Sequence, residues 1–405
     1  MQSTAPSRRA NPAGHRRWRR LRRRMVEAAA ELGATFEVLR SEPHAVRVAR
    51  RLIQAAAQQR MKPQDALLFE LDRRPADVAR QFLSKRALTR LENTLNPPPH
   101  QHLVQNKLDY HVACLVRGVA APRVLAVMDF GPDHGRCAKL DAVRIDGESE
   151  LAAFLASAHE GRRLACKQFE GAYGRGLLAL TVTAGGAVGA DGAKMDPAAI
   201  LRHCHAFRSG KGYLVQNWLE PDPALRPLMP GRALGTVRIV TVLVGDRVQI
   251  PYAFVKIPVG ANVSDSFDHG RTGNLLASVD VGDGRIGEAW GPSRTRRHRL
   301  ETYDVHPDTG VAIEGFRVPH WPDVMRVVSE GARAFPELRT LGWDVAITTE
   351  GIFLLEANYQ WDPHGPQITL QRGIGLEMEV LAARAKPNYE QRLVVPPPGE
   401  AVSGQ

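Results

Sequence analysis

Cysteine is scarce in this chain. Its four cysteines (Cys114, Cys137, Cys166 and Cys204) are widely spaced and include no CxxC pair. They therefore suggest buried thiols in a reducing compartment, the cytoplasm, rather than a disulfide framework or a zinc site. No apolar run is long enough to cross a bilayer, and no signal-peptide core follows the N-terminal arginines, so neither a transmembrane segment nor a secretory leader is expected. The Gly-Lys-Ser/Thr P-loop is missing, and so is any Gly-x-Ser-x-Gly or comparable nucleophile motif. Acids are missing from residues 1–26, which hold nine arginines. The net charge of +11 therefore belongs mostly to an N-terminal arm, and the rest of the chain is nearly neutral. An anionic partner for that arm, nucleic acid or lipid headgroup, competes with a plain solubilising tail.

The 405 residues are 43% hydrophobic and 24% charged, which describes a globular protein of two to three domains. Residues 1–24 read as a disordered basic arm and 25–122 as a mainly helical region. Helical patterns cover Ala45 to Gln59 and His102 to Arg117, with a break at Asn96-Pro97-Pro98-Pro99. Strands and helices then alternate with antiparallel hairpins, which predicts α+β architecture rather than a doubly wound sheet. The expected division is a first lobe over 123–211, a second over 212–376, and a tail over 377–405.

One hairpin, Gly342 to Asn358, concentrates the chemistry. Val345 to Thr348 and Ile352 to Leu355 are β-rich runs around Glu350-Gly351. Pairing them brings Asp344, Glu356 and Asn358 to one end, and Glu356 and Asn358 share a face. Two carboxylates and an amide oxygen suit a hard cation such as Mg²⁺; a surface hairpin with solvated acids is the competing reading.

Lys167 ends a strand and precedes a loop with Gly171, Gly174 and Gly176. Such a loop between two strands can act as a flap over phosphates, with the lysine beneath it. The strand Tyr213 to Glu220 ends at prolines. Its edge (Gln216, Asn217, Trp218, Leu219) can meet an adenine, and Glu220 or Asp222 a ribose. Arg238 lies in the β-run Thr236 to Thr241 and needs an anionic partner, either a core carboxylate or a phosphate. His269, Arg271 and Asn274 punctuate a small-residue loop and are candidates for substrate contact. His203, Cys204 and His205 point in different directions on a helix and are structural.

The order of these features resembles the ATP-grasp superfamily, and within it the sugar-transfer-associated group related to glutamate-ligase-like proteins. Thr236 to Thr241, His306 to Gly310, Gly342 to Ile347 and Leu355 to Asn358 carry the likeness, which spans roughly Lys62 to Leu376. It implies two α+β lobes clasping ATP. It further implies Lys107 and Lys167 on the nucleotide, Gln216 to Leu219 around adenine, Mg²⁺ on Asp344, Glu356 and Asn358, and Arg238 on the transferred phosphoryl group. Two positions depart from the group: Gln168 replaces a proline after the flap-side lysine, and Leu275-Leu276 replace paired glycines near Asn274. The implied reaction is ATP-dependent ligation of a carboxylate to an amine through an acyl phosphate, on small molecules or a sugar conjugate. A kinase acting on a hydroxyl and a nucleotide-binding protein without turnover remain as alternatives.

Overall fold

The computed structural model describes Arg40 and residues 44–130, 138–171, 174, 176–207, 211–296 and 298–386. The basic arm, Cys137, the flap residues Ala172, Tyr173 and Arg175, and the chain beyond 386 lie outside them.

Two seven-stranded sheets organise the molecule. The first has strands β1 (Val124–Asp129), β2 (Val143–Arg144), β3 (Arg163–Gln168), β4 (Leu178–Thr183), β5 (Gly186–Gly189), β6 (Lys194–Met195) and β7 (Gly212–Asn217), in the order β2-β1-β7-β3-β4-β5-β6. Only the β1–β2 pair is parallel. The second has β8 (Val237–Val244), β9 (Arg247–Ile257), β10 (Leu275–Val279), β11 (Ile286–Pro292), β12 (Leu300–Tyr303), β13 (Thr340–Thr348) and β14 (Gly351–Asn358), in the order β12-β11-β10-β9-β8-β13-β14. This is the expected α+β mixture, with helices preceding the first sheet.

Period-2 burial follows the sheet faces. In β4, Leu178, Leu180 and Val182 are buried and alternate with half-exposed residues. All nine residues of β13 are buried, because both faces of the second sheet are covered. The amphipathic helix Trp321–Ala334 packs Val324, Val328 and Ala332 against Trp343 and Val345 on one side. On the other side lie Val240, Val242, Tyr252 and Trp361, covered by Leu88, Leu95, Met378 and Leu381. The buried Arg299 clamps the early helices to this sheet, donating to both carboxylate oxygens of Asp72 at 2.6 and 2.8 Å.

Three boundaries differ from the sequence reading. Gly212–Asn217 heads no second lobe; it is the third strand of the first sheet, paired with β1 and β3. Residues 377–385 are not tail but most of a helix, Gly375–Ala385, that buries Met378, Leu381 and Ala382. The break expected at Asn96 to Pro99 is present, since the helix Lys85–Leu95 ends at Asn96; Pro98 then opens a new helix, Pro98–Gln105, because a proline's missing N–H costs nothing in a first turn. The expected helix from His102 is thereby split at Asn106, whose side chain caps Lys107–Arg117 by accepting from Leu108 N at 2.8 Å.

Candidate functional site

The β8-β13-β14 register builds the site. Asp344 stands opposite Arg238 on one side and Glu356 on the other, while Gly342 stands opposite Asn358. Residues directly opposite in antiparallel strands share a face, so the three side chains form a row. The register shifts between Asp344 and Val345, a bulge that falls at Leu355 beside Glu356. The turn of this hairpin is Thr349-Glu350.

A cleft of about 630 Å³ lies over that row, between the sheets. Lys107, Lys167, Gly171, Gly174, Asn217, Trp218, Leu219, Arg238, His269, Asp344, Glu356 and Asn358 all line it. Lys107 begins its helix. Its ammonium lies 3.2 Å from Glu356 Oε2 and donates to Gly171 O at 3.2 Å, joining the hairpin to the flap root. Gly174 has φ +67°, and a Cβ there would come within 2.9 Å of Ser264 Cβ, so the flap tip rests on the second lobe. Lys167 has no carboxylate within ion-pair distance among the described residues. Burial, reinforced by the charge on Lys107, lowers its ammonium to about 8.

Asp344 is the most heavily committed group. It accepts from Arg238 Nε at 2.7 Å and Nη2 at 2.8 Å, and Lys256 Nζ lies 2.9 Å away. Burial opposes its ionisation, but Arg238 and Lys256 outweigh burial and hold the carboxyl well below the usual range. Burial likewise opposes the charges on Arg238 and Lys256, and their carboxylate partners raise both. Lys256 also pairs with Asp265 at 3.2 Å, which is itself held by Thr236 N and Oγ1. Arg238 therefore has a core carboxylate partner, and that partner is the aspartate expected to serve a metal.

The donor set still fits Mg²⁺. A carboxylate offers about four lone-pair positions, and three on Asp344 are taken. Asn358 directs its NH₂ to Gly342 O at 3.2 Å, which leaves its oxygen for a cation. Glu356 is partly exposed and faces the cleft. All of these donors are oxygens, as a hard cation requires. Around the row, four cations (Lys107, Lys167, Arg238, Lys256) face three carboxylates (Asp265, Asp344, Glu356), a local excess of positive charge that suits a polyphosphate, while Lys85, Asp268 and Asp362 also line the cleft.

Several expected residues are not brought to the cleft. Gln216 alternates away from Asn217, and its amide reaches Pro122 O and His111 Nε2 behind the sheet. The Glu220 carboxylate is held by Arg163 and Arg226. Gly176 serves packing, since a Cβ would lie 1.7 Å from Gln168 Nε2. Arg271 pairs with Asp268 at 2.6 Å. Asn274, fully buried, fixes its loop by bonding Val259 N, Asn262, Ser264 O and Ser266 O. Trp218 N donates to Arg163 O, whereas Leu219 N–H has no partner among the described residues and borders the cleft.

Sequence reading missed Lys256, Asp265 and a cluster around His364. Lys256 was legible as a lone lysine inside an apolar strand. The cluster was not: His364 Nε2 lies 3.0 Å from Asp65 Oδ1, its Nδ1 contacts Asp362, and His269 Nδ1 lies 3.4 Å from Asp65. Against burial, Asp362 and Asp65 raise the His364 imidazole to about 10.

Among solved structures, the chain is similar to a D-cycloserine synthetase, DcsG, at 14% identity over 75% of this chain and 78% of that one, with a TM-score of 0.38. A biotin carboxylase from Campylobacter jejuni gives 9%, 72%, 49% and 0.39, so the chain spans about half its length. A D-alanyl-alanine synthetase A from Vibrio cholerae gives 11%, 71%, 66% and 0.37. No curated protein matches. The family model for sugar-transfer associated ATP-grasp proteins matches residues 86–381. With most of its length matched, the chain belongs to the sugar-transfer-associated ATP-grasp family.

Proposed function

We propose that the protein is an Mg²⁺- and ATP-dependent ligase joining a carboxylate to an amine. The observation that carries this reading is the cationic row of Lys107, Lys167, Arg238 and Lys256, set around the oxygen donors Asp344, Glu356 and Asn358 beneath a Gly-rich loop. Phosphoryl transfer asks a protein for positioning, cations and exclusion of water, with little covalent work.

In this reading adenine lies against Trp218 and Leu219, with the Leu219 N–H as its hydrogen-bond donor. Lys107 and Lys167 hold the phosphates. Glu356, Asn358 and the remaining lone pair of Asp344 would hold Mg²⁺, which would supply positive charge to the polyphosphate. The γ-phosphoryl group passes to the substrate carboxylate and ADP leaves. The amine then attacks the acyl carbon, releasing inorganic phosphate as the amide forms. Arg238 faces the charge that develops during transfer, and the loop over Gly171 and Gly174 keeps water from the acyl phosphate. A cleft of about 630 Å³ accommodates a nucleotide with a small acceptor or the reactive end of a sugar conjugate.

The test is turnover with pooled carboxylates, amines and sugars, measuring ADP and inorganic phosphate together. A ligase releases both in equal amounts and only when carboxylate and amine are present. ADP without phosphate identifies a hydroxyl kinase and overturns the reading.

A further inference from the structure

We propose that Asp65, His269 and His364 form a second metal site, for a zinc-class divalent ion, in the wall of the same cleft. The site shares no residue with the Glu356 hairpin and stands independently of the ligase reading.

Three ligand atoms converge there. Asp65 Oδ1, His269 Nδ1 and His364 Nε2 all lie within 4.8 Å of one another. The two Asp–His separations are 3.0 and 3.4 Å. Tetrahedral ligands around an ion at about 2.0–2.1 Å stand roughly 3.3 Å apart. Each of the three atoms is buried, and among the described residues none meets hydrogen-bond geometry with a partner, their close approaches being to one another. Asp65 and His364 are themselves more than nine-tenths buried. Buried polar atoms normally find a partner; three orphaned at one point are explained by one shared cation.

The surroundings hold the ligands in place. Asp362 accepts from His364 N at 2.9 Å and also contacts His364 Nδ1, an arrangement that turns Nε2 towards Asp65. A carboxylate behind a histidine is the usual support of a metal-bound imidazole. Phe69 stacks on that ring, with centroids 5.2 Å apart. His269 is held at φ 56° and Asp268 before it at φ 42°, two successive non-glycine residues in left-handed conformation. This strained turn aims His269 at Asp65.

Two imidazoles and one carboxylate match a zinc-class ion, whereas Mg²⁺ prefers oxygen donors throughout. With three protein ligands, a fourth position is open to the cleft that His269 and His364 line.

The experiment strips the full-length protein with a chelator, equilibrates it with Zn²⁺ and measures retained metal after desalting. We expect about one zinc per chain, kept in millimolar Mg²⁺. His269→Gln and His364→Gln should each weaken binding at least about tenfold, and Asp362→Asn by about tenfold through the supporting contact. Glu356→Gln should bind zinc like the parent. Co²⁺ titration of the unmutated protein gives an independent reading, because nitrogen and oxygen ligands at low coordination number produce visible absorption. Thermal melts establish that each variant is folded. No retained zinc, loss of zinc to millimolar Mg²⁺, or full zinc binding by folded His269→Gln or His364→Gln overturns the proposal.

Discussion

The two sides of the cleft are built differently. The hairpin side draws Arg238, Asp344, Glu356 and Asn358 from three neighbouring strands, aligned by one ladder register. The histidine side draws Asp65 from an early helix, His269 from a strained loop and His364 from the start of a late helix. Ladder hydrogen bonds fix the first set to a rigid sheet. Packing between elements remote in sequence fixes the second. The first also pairs its buried aspartate, with Asp344 held by two cations, whereas the second holds three buried atoms that meet no hydrogen-bond geometry among the described residues.

The largest separation between the two sides should come from Glu356→Gln. It keeps the side chain's size while removing the charge opposite Lys107. We expect turnover to fall at least about a hundredfold, with the melting temperature and zinc retention little changed. Near-parental turnover in this variant would break the metal assignment on the hairpin.

Arg238→Ala should cost both rate and stability. It leaves the buried Asp344 with Lys256 as its remaining close cation, and breaking a buried pair costs about 3 kcal/mol. Single-turnover rates should also fall by roughly a hundredfold, because an interaction made mainly in the transition state appears in turnover. Thermal melts beside those rates separate the two effects. If the folded fraction turns over normally, Arg238 is structural and the ladder row serves the fold alone.

Lys167→Met should have a smaller effect, raising the apparent KM for ATP by about tenfold. It should also remove a pH dependence. The Lys167 ammonium titrates near 8 in the folded chain, against an ordinary 10.5. ATP affinity should therefore decline as pH rises through about 8 in the parent and not in the variant. The sign for stability is opposite: between these two values the unfolded chain binds more protons, so folding gains stability as pH rises. Titration of ATP binding from pH 6.5 to 9.5, roughly centred on that shifted value, measures the first effect.

The smallest effect should follow deletion of residues 1–24, whose nine arginines lie outside every sequence motif assigned to the site. Catalytic constants should be unchanged, while any binding to nucleic acid or anionic vesicles weakens and loses its salt dependence. A large fall in activity at saturating ATP would place the arm in the site.

The hairpin side was legible because its information is local. Two period-2 runs around a tight turn set Asp344 opposite Glu356, with Asn358 two residues on along one face. Lys167, Gly171 and Gly174, close in sequence, do line one cleft, whereas Gly176 packs against Gln168. Where the chain had to choose a partner at distance, sequence failed. It did not reveal that Glu220 is captured by Arg163 and Arg226, or that Gln216 turns towards His111 while Asn217 turns to the cleft. Nor did it distinguish Asn274 as a loop organiser from Asn274 as a substrate ligand.

By itself, then, the sequence determined the α+β class, the hairpin and the ATP-grasp resemblance. Each rests on residue types at short spacing, where backbone geometry leaves few arrangements open. Only the tertiary structure decided that Arg238 and Asp344, 106 residues apart, face each other. It alone joined β7 to the first sheet, folded 377–385 onto the second, and gathered Asp65, His269 and His364 at one point. Those outcomes depend on strand order and on which faces bury one another. Both emerge from the summed packing of the whole chain, and no short stretch encodes them.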